Sequence, residues 1–204
     1  MTATTFIHTS DFQLGMTRWF LKGEAQGRFN DDREAAIVRL GELAEETGAE
    51  FIVVAGDVFE HNALSRDILA RATEMFKRLP VPVYVLPGNH DPLVADSVFY
   101  KASADNVYVI ADSEPIEVAP GVELVGAPYL SKRANHDLVR QALEPLEPAA
   151  GIRIAVGHGQ VDSRSGEDDA DTIDLAFVED CLDRGVIDYL ALGDTPVSYT
   201  HLTL

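Results

Sequence analysis

The sequence predicts an α/β fold with a largely parallel sheet, and three observations carry that prediction. Runs such as Phe51-Ile-Val-Val-Ala55 and Val83-Tyr-Val-Leu86 are apolar without polar alternation, as in strands buried on both faces. Segments with helical spacing of apolar residues separate these runs. Several runs end in turns carrying Gly with Asp, Asn or His, at the strand ends where open α/β sheets bind ligands.

Residues 5–8 read as the first strand, ended by Thr9-Ser10-Asp11, and 13–29 as a polar and aromatic loop. Asn30 is placed to cap a helix over 31–46. An acidic first turn suits its dipole, Ile37, Leu40, Leu43 and Ala44 recur at helical spacing, and Gly48 stops it. The second strand is 51–55. Ser65 caps a second helix to about Leu79, ended by Pro80 and Pro82, and 83–86 is the third strand. A short helix near 97–103 precedes a strand at 107–110. Segments 116–118 and 122–127 flank Pro120-Gly121, a hairpin signature that adds antiparallel strands. A helix at 131–143, a strand at 152–156, a helix at 175–182 and a strand at 189–192 follow. No internal repeat or low-complexity linker divides the chain, so one domain is expected over 1–194. Residues 195–204 resemble the translation of a sequencing-library transposon end and are expected to be a non-native tail, leaving the domain incomplete at its C-terminus.

The 204 residues are 46% hydrophobic and 25% charged, the balance of a soluble globular domain. No run approaches the roughly 18 apolar residues of a membrane span. The first seven residues lack the basic and apolar regions of a secretory signal. One cysteine, Cys181, excludes an internal disulfide and fits a reducing compartment, so the cytoplasm is the expected location. The net charge of −18 argues against a protein that coats nucleic acid. It argues less against a nuclease, because bound divalent cations invert the field in a catalytic cleft.

Asp11, Asp57, Asn89, His158 and Asp194 each follow a predicted strand, so topology should bring them to one cleft. Carboxylate and amide oxygens with imidazole nitrogen suit Mn²⁺-like ions that activate water. Gly56 lets the chain turn sharply and leaves the Asp57 carboxylate able to give one oxygen to each of two metals. His90 is the candidate acid, and Asp91 is placed to hydrogen-bond it and set its tautomer. Arg18, Trp19 and Phe20 form a cation with an aromatic pair. Arg18 and Trp19 are candidates for holding a phosphate and stacking an unpaired base, with a merely anchored loop as the alternative.

Asp11-Phe-Gln13, Gly56-Asp57-Val-Phe-Glu60, Gly88-Asn89-His90-Asp91 and Gly157-His158 resemble the signature of calcineurin-like metallophosphoesterases. Ile7-His8-Thr9-Ser10-Asp11 with Leu14-Gly15 resembles its DNA-repair exonuclease, SbcD-type branch. The resemblance implies a four-layer α/β metallophosphoesterase sandwich of two mixed β-sheets flanked by helices. It implies two divalent metal ions, Mn²⁺ first with Fe²⁺ or Mg²⁺ as alternatives, bridged by an Asp and a water that attacks phosphorus. Asp11 would bind the first metal, Asp57 both, and Asn89 and His158 the second. DNA as substrate, an SbcC-type ATPase partner and a homodimer are also implied.

Three departures accompany the resemblance. Gln13 stands where the family has a His, replacing a nitrogen ligand by an amide oxygen, so the first site should be weaker or altered. Glu60 stands where the branch often has His, leaving Glu60 as a base or outer carboxylate and His61 beside it. The closing Gly-x-His element begins at Gly193-Asp194 and then breaks off, and His201 in the tail is not counted as the missing ligand. His8 is expected to pack or hydrogen-bond within its strand, His136 to be solvated on a helix, and residues 167–171 to form a water-facing acidic loop. A phosphoesterase for small substrates and a non-catalytic scaffold are the rival readings, drawn from the acidic charge and from Gln13.

Overall fold

The computed structural model describes residues 3–102, 104–161 and 172–194. The expected tail at 195–204, with His201, and the acidic run at 167–171 lie outside the described residues.

Among the described residues the strands form two four-stranded sheets. The first holds β1 (Phe6–Thr9), β2 (Phe51–Val54), β3 (Val83–Val85) and β4 (Val107–Val109) in that order, parallel at every pairing. The second holds β5 (Ile116–Ala119), β6 (Val122–Gly126), β7 (Ile152–His158) and β8 (Tyr189–Gly193). Its β5–β6 hairpin is antiparallel and its other pairings are parallel, so this sheet alone is mixed.

Period-two alternation in the buried strands explains the layering. Ile52 and Val54 face α1 (Ala25–Thr47) and α2 (Arg66–Phe76), packing with Ile37, Ala44, Leu69 and Phe76. Phe51, Val53 and Ala55 point the other way, against Leu124, Ile154, Val156 and Ala191 of the second sheet. The opposite face of that sheet, with Val125 and Ala155, is covered by α3 (Leu138–Leu143) and α4 (Leu175–Asp183) through Val139, Leu143, Val178 and Cys181. The order is therefore helix, sheet, sheet, helix: the expected four-layer sandwich.

Local signals act as read at several ends. Gly48 closes α1 in the left-handed conformation, and the Ser65 side chain accepts from the Ile68 N–H to start α2. Two helices differ from expectation. α1 starts at Ala25, not 31, and Asn30 lies inside it. There the Gln26 side chain donates to Asn30 Oδ1 and to the Met16 carbonyl, so polar bonds to the preceding loop replace the apolar periodicity that would mark a helix. α3 covers only the end of 131–143, because the Asp137 carboxylate caps it at the Arg140 N–H and also accepts from the Asp174 N–H. His136 is accordingly in the exposed turn before α3, near Asn135 and Gln141, and not on a helix.

Phe51 is fully buried between the sheets, stacked on Phe6 and edge-on to Tyr84. Phe51→Ala is expected to lower stability by about 3–5 kcal/mol, measurable as a shift in the urea midpoint at unchanged slope.

Candidate metal centre

Parallel pairing brings the C-terminal ends of β1, β2 and β3 to one side of the first sheet, and those of β7 and β8 to one side of the second. Past its end β1 runs on beside the β2 loop. Asp11 N–H donates to the Gly56 carbonyl (3.1 Å), Gln13 N–H to the Asp57 carbonyl (2.8 Å) and Leu14 N–H to the Val58 carbonyl (2.9 Å). These bonds hold an unusual backbone. Asp11, Gln13, Asp57 and Asp194 are the non-glycine residues with positive φ among the described residues, at +57°, +44°, +53° and +127°. Such conformations cost about 1–3 kcal/mol each and persist where the surroundings enforce them, often at functional sites. Aspartate tolerates the left-handed region better than most residues, whereas Gln13 has no such advantage.

The side chains converge across the two sheets. One ligand atom from each of Asp11, Asp57 and His158 lies within 4.8 Å of the others. His158 Nδ1–H donates to the Ala55 carbonyl of the first sheet (2.8 Å), which leaves Nε2 as the atom able to ligate a cation. Nε2 lies 3.1 Å from Asn89 Oδ1 and 3.4 Å from Asp57 Oδ2. Burial alone would lower the His158 pKa, but the Asp57 carboxylate, the Ala55 carbonyl and the Asp11 charge together push it up to about 9. Burial raises the Asp57 pKa in turn, and is outweighed by His158, the His90 N–H and the His90 charge, so Asp57 is held below the usual carboxylate range. Asp11 is raised by burial.

The approach is so close that backbone alone fits at three points. A Cβ on Gly56 would lie 2.1 Å from His158 Nδ1, one on Gly88 2.2 Å from Asp57 Oδ1, and one on Gly193 1.9 Å from the Ala55 oxygen. Gly56 also has a φ of +89°.

His90 flanks the cluster. Its N–H donates to Asp57 Oδ1 (3.0 Å), and Nε2 lies 4.0 Å from Asp57 Oδ2. Its Nδ1–H is placed against the Glu60 carbonyl oxygen (3.1 Å). Asp91 therefore does not set the His90 tautomer as expected. Its fully buried carboxylate instead accepts from Phe59 N–H and Gly88 N–H, both at 2.8 Å, and fastens the β3 turn to the β2 loop. Neighbours in sequence diverge in this turn, so adjacency was a poor guide to contact. Burial pushes the Asp91 pKa up to about 6. Glu60 Oε2 is buried without a hydrogen-bond partner, and Oε1 lies 3.9 Å from His90 Nδ1. His61 turns away, accepting from the Ala63 N–H.

Asp194 reaches the cluster through its backbone, whose N–H donates to Asp11 Oδ2 (3.2 Å). Gln13 sits in the β1 loop, and its main chain meets Asp57. Arg18 and Trp19 lie farther along that loop, exposed. Trp19 is 92% exposed and its ring meets Phe20 edge-on. His8 hydrogen-bonds Tyr189 OH (3.1 Å), a partner on β8 of the second sheet and not within its own strand. Two contributors are not evident from the sequence pattern. Tyr129 packs edge-on to His158. Arg33 donates to the Phe12 and Gln13 carbonyls. The signal for Arg33 was its place on the α1 stripe that continues through Ile37 and Ala44, where a charge is out of pattern.

Oxygen donors joined by one oriented imidazole nitrogen fit a hard or borderline divalent cation. The chain belongs to the calcineurin-like phosphoesterase family, whose profile matches residues 4–198. It is similar to the DNA double-strand break repair protein Mre11 of Archaeoglobus fulgidus, 32% identical over 98 residues, 47% of this chain and 21% of that protein. The uncharacterized metallophosphoesterase YhaO of Bacillus subtilis is 25% identical over 203 residues, 95% of this chain and 48% of that one. The SbcD component of the nuclease SbcCD from Staphylococcus epidermidis is 22% identical over 218 residues, 92% of this chain and 55% of that one. The chain thus spans about half the length, or less, of these relatives.

Gly88→Ala tests the close packing. It should displace the Asp57 carboxylate and weaken Mn²⁺ binding at least about 10-fold in a calorimetric titration, with the far-ultraviolet dichroism of the sandwich retained.

Proposed function

We propose that this chain is a metal-dependent phosphodiesterase acting on DNA, of the exonuclease or endonuclease kind. The observation that carries the reading is the meeting of Asp11, Asp57 and His158 ligand atoms within 4.8 Å, with Asn89 beside them. In this reading Asp11 and Gln13 would hold one cation, Asn89 and His158 a second, with Asp57 shared between them and Asp194 beside the first. Two divalent ions, Mn²⁺ before Fe²⁺ or Mg²⁺, would supply charge that polarises a phosphoryl oxygen and acidifies water.

The chain's own groups account for the rest. Asp57 and Asp11 would orient the ions, and the Ala55 carbonyl holds His158 with Nε2 turned toward the cluster. His90 protonates the departing oxygen. With Nδ1–H held by the Glu60 carbonyl, a proton carried on Nε2 would face the cluster. Hydroxide, formed when water gives a proton to solvent, would attack phosphorus; the P–O bond to the leaving group breaks, that oxygen takes the Nε2 proton, and His90, left neutral, regains a proton from solvent. Asp91 is the brace beneath. Arg18 and Trp19, exposed on the loop that leaves the site, are proposed to grip a phosphate and stack a base.

DNA as substrate and an SbcC-type ATPase partner draw support from the names of the Mre11 and SbcCD relatives; homodimerisation and a cytoplasmic setting are proposed alongside them. Among the described residues no helix is long and apolar enough to cross a membrane. The net charge of −18 favours a second reading, a small phosphoester substrate that needs no basic groove.

The purified chain with Mn²⁺ is expected to degrade linear duplex DNA and to hydrolyse bis(p-nitrophenyl) phosphate. His90→Ala should lower kcat by about 10²–10⁴ with Mn²⁺ binding retained, and Asp57→Asn should lose both binding and turnover. Turnover of the chromogenic diester or a cyclic nucleotide with DNA left intact would select the small-substrate reading. Absence of bound metal and of all turnover would overturn hydrolysis.

A further inference from the structure

We propose that Arg33, from α1, is a positioning residue that sets the affinity of the Asp11 side of the centre for its divalent cation. The inference rests on the metal-binding reading above and concerns a residue outside the ligand set.

The geometry is specific. Arg33 Nη1 donates to the Phe12 carbonyl at 3.0 Å and to the Gln13 carbonyl at 2.6 Å, and Nη2 lies 3.2 Å from Met16 Sδ. The guanidinium carbon stands 4.6 Å from the centre of the Phe29 ring, one helical turn back on α1. Nη1 spans both carbonyls, Nη2 meets the sulfur and the guanidinium face lies over the ring, a set of contacts that the compact ammonium of lysine does not reproduce together.

The two carbonyls it holds belong to the peptide units between and after Asp11 and Gln13, the residues with left-handed backbones beside the cluster. The path of the chain from Asp11 to Gln13 decides where the Asp11 carboxylate points. That path is bonded on one side to the β2 loop, through Asp11 N–H and Gln13 N–H. On the other side Arg33 meets its oxygens. Glutamine lacks the local side-chain bonding that eases aspartate and asparagine into this region, so the turn depends on outside contacts. Gln26 continues the same clamp, donating to the Met16 carbonyl and accepting from Arg18 N–H. Its action reaches the loop beyond the ligands, whereas that of Arg33 reaches Gln13 itself.

The effect is expected on one side of the centre only. Asn89 and His158 come from the β3 turn and the end of β7, and the contacts that hold them run through the Ala55 carbonyl and the Asp91 brace. None of these passes through Arg33. Loss of the fork should therefore weaken one of two binding events and spare the other. A residue that merely stabilised the fold would shift the melting temperature and leave the ratio of the two affinities alone.

The test is a calorimetric Mn²⁺ titration of the full chain, read alongside Mn²⁺ electron paramagnetic resonance, for the wild type, Arg33→Lys and Arg33→Gln. Arg71→Ala serves as control, since Arg71 lines the same small cavity between α1 and α2 without touching the loop carbonyls. We expect the weaker of two wild-type steps to lose about 10- to 100-fold in affinity in both Arg33 variants, the tighter step to stay within 2-fold, and the control to match wild type. Arg33→Lys keeps the charge and most of the stem, so it reports on the fork even if Arg33→Gln fails to fold. Unchanged affinities in the Arg33 variants, or equal losses at both steps, would overturn the inference while leaving the metal centre standing. A wild type that binds no Mn²⁺ would instead overturn the proposed function, an outcome read from the first titration alone.

Discussion

The site depends on one hydrogen bond between layers, from His158 Nδ1–H to the Ala55 carbonyl. His158 ends a strand of the second sheet and Ala55 follows a strand of the first. The bond selects the tautomer, aims Nε2 at Asp57 and Asn89, and requires the two sheets to close to backbone contact at this edge. That closure explains the glycines. Gly56, Gly88 and Gly193 stand where a Cβ would strike the His158 ring, the Asp57 carboxylate or the Ala55 oxygen. Hydrophobic packing between Phe51, Val53, Leu124 and Ile154 supplies the cohesion that holds the sheets in this relation.

A cluster of like-charged carboxylates is costly to assemble, and the fold meets that cost with fixed dipoles and one imidazole. Asp57 takes the His90 N–H, Asp11 takes the Asp194 N–H, and Asp91 takes two N–H groups from the loops it joins. The raised pKa of His158 favours a charged ring that partly offsets the carboxylates, and a cation ligating Nε2 would have to displace that proton. The arrangement is therefore set up for a positive occupant.

Much of the fold was legible because buried strands and helix ends follow local rules. Phe51 to Ala55 is apolar on both faces because one face meets helices and the other a sheet, and Gly48 and Ser65 end and begin helices as their chemistry dictates. The early start of α1 was hidden because Gln26 bonds the neighbouring loop and Asn30 bonds Gln26, so the first turn carries no apolar periodicity and reads in sequence as part of a polar loop. In the site, residue types and strand-end positions pointed to Asp11, Asp57, Asn89 and His158 together. What one-dimensional spacing could not show was direction. Asp91 follows His90 yet braces Phe59 and Gly88, and Arg33 is distant in sequence from Gln13 yet holds its carbonyl.

The left-handed backbone at Asp11 and Asp57 bears on how the centre can be dissected. Alanine at either position removes a carboxylate of the candidate site and also disturbs the turn, so its effects mix lost charge with main-chain strain. Asparagine tolerates the same dihedral region while exchanging an anionic oxygen for a neutral one. At these two positions amide replacement is the cleaner dissection of charge from shape, and that choice is dictated by torsion angles before any question of chemistry.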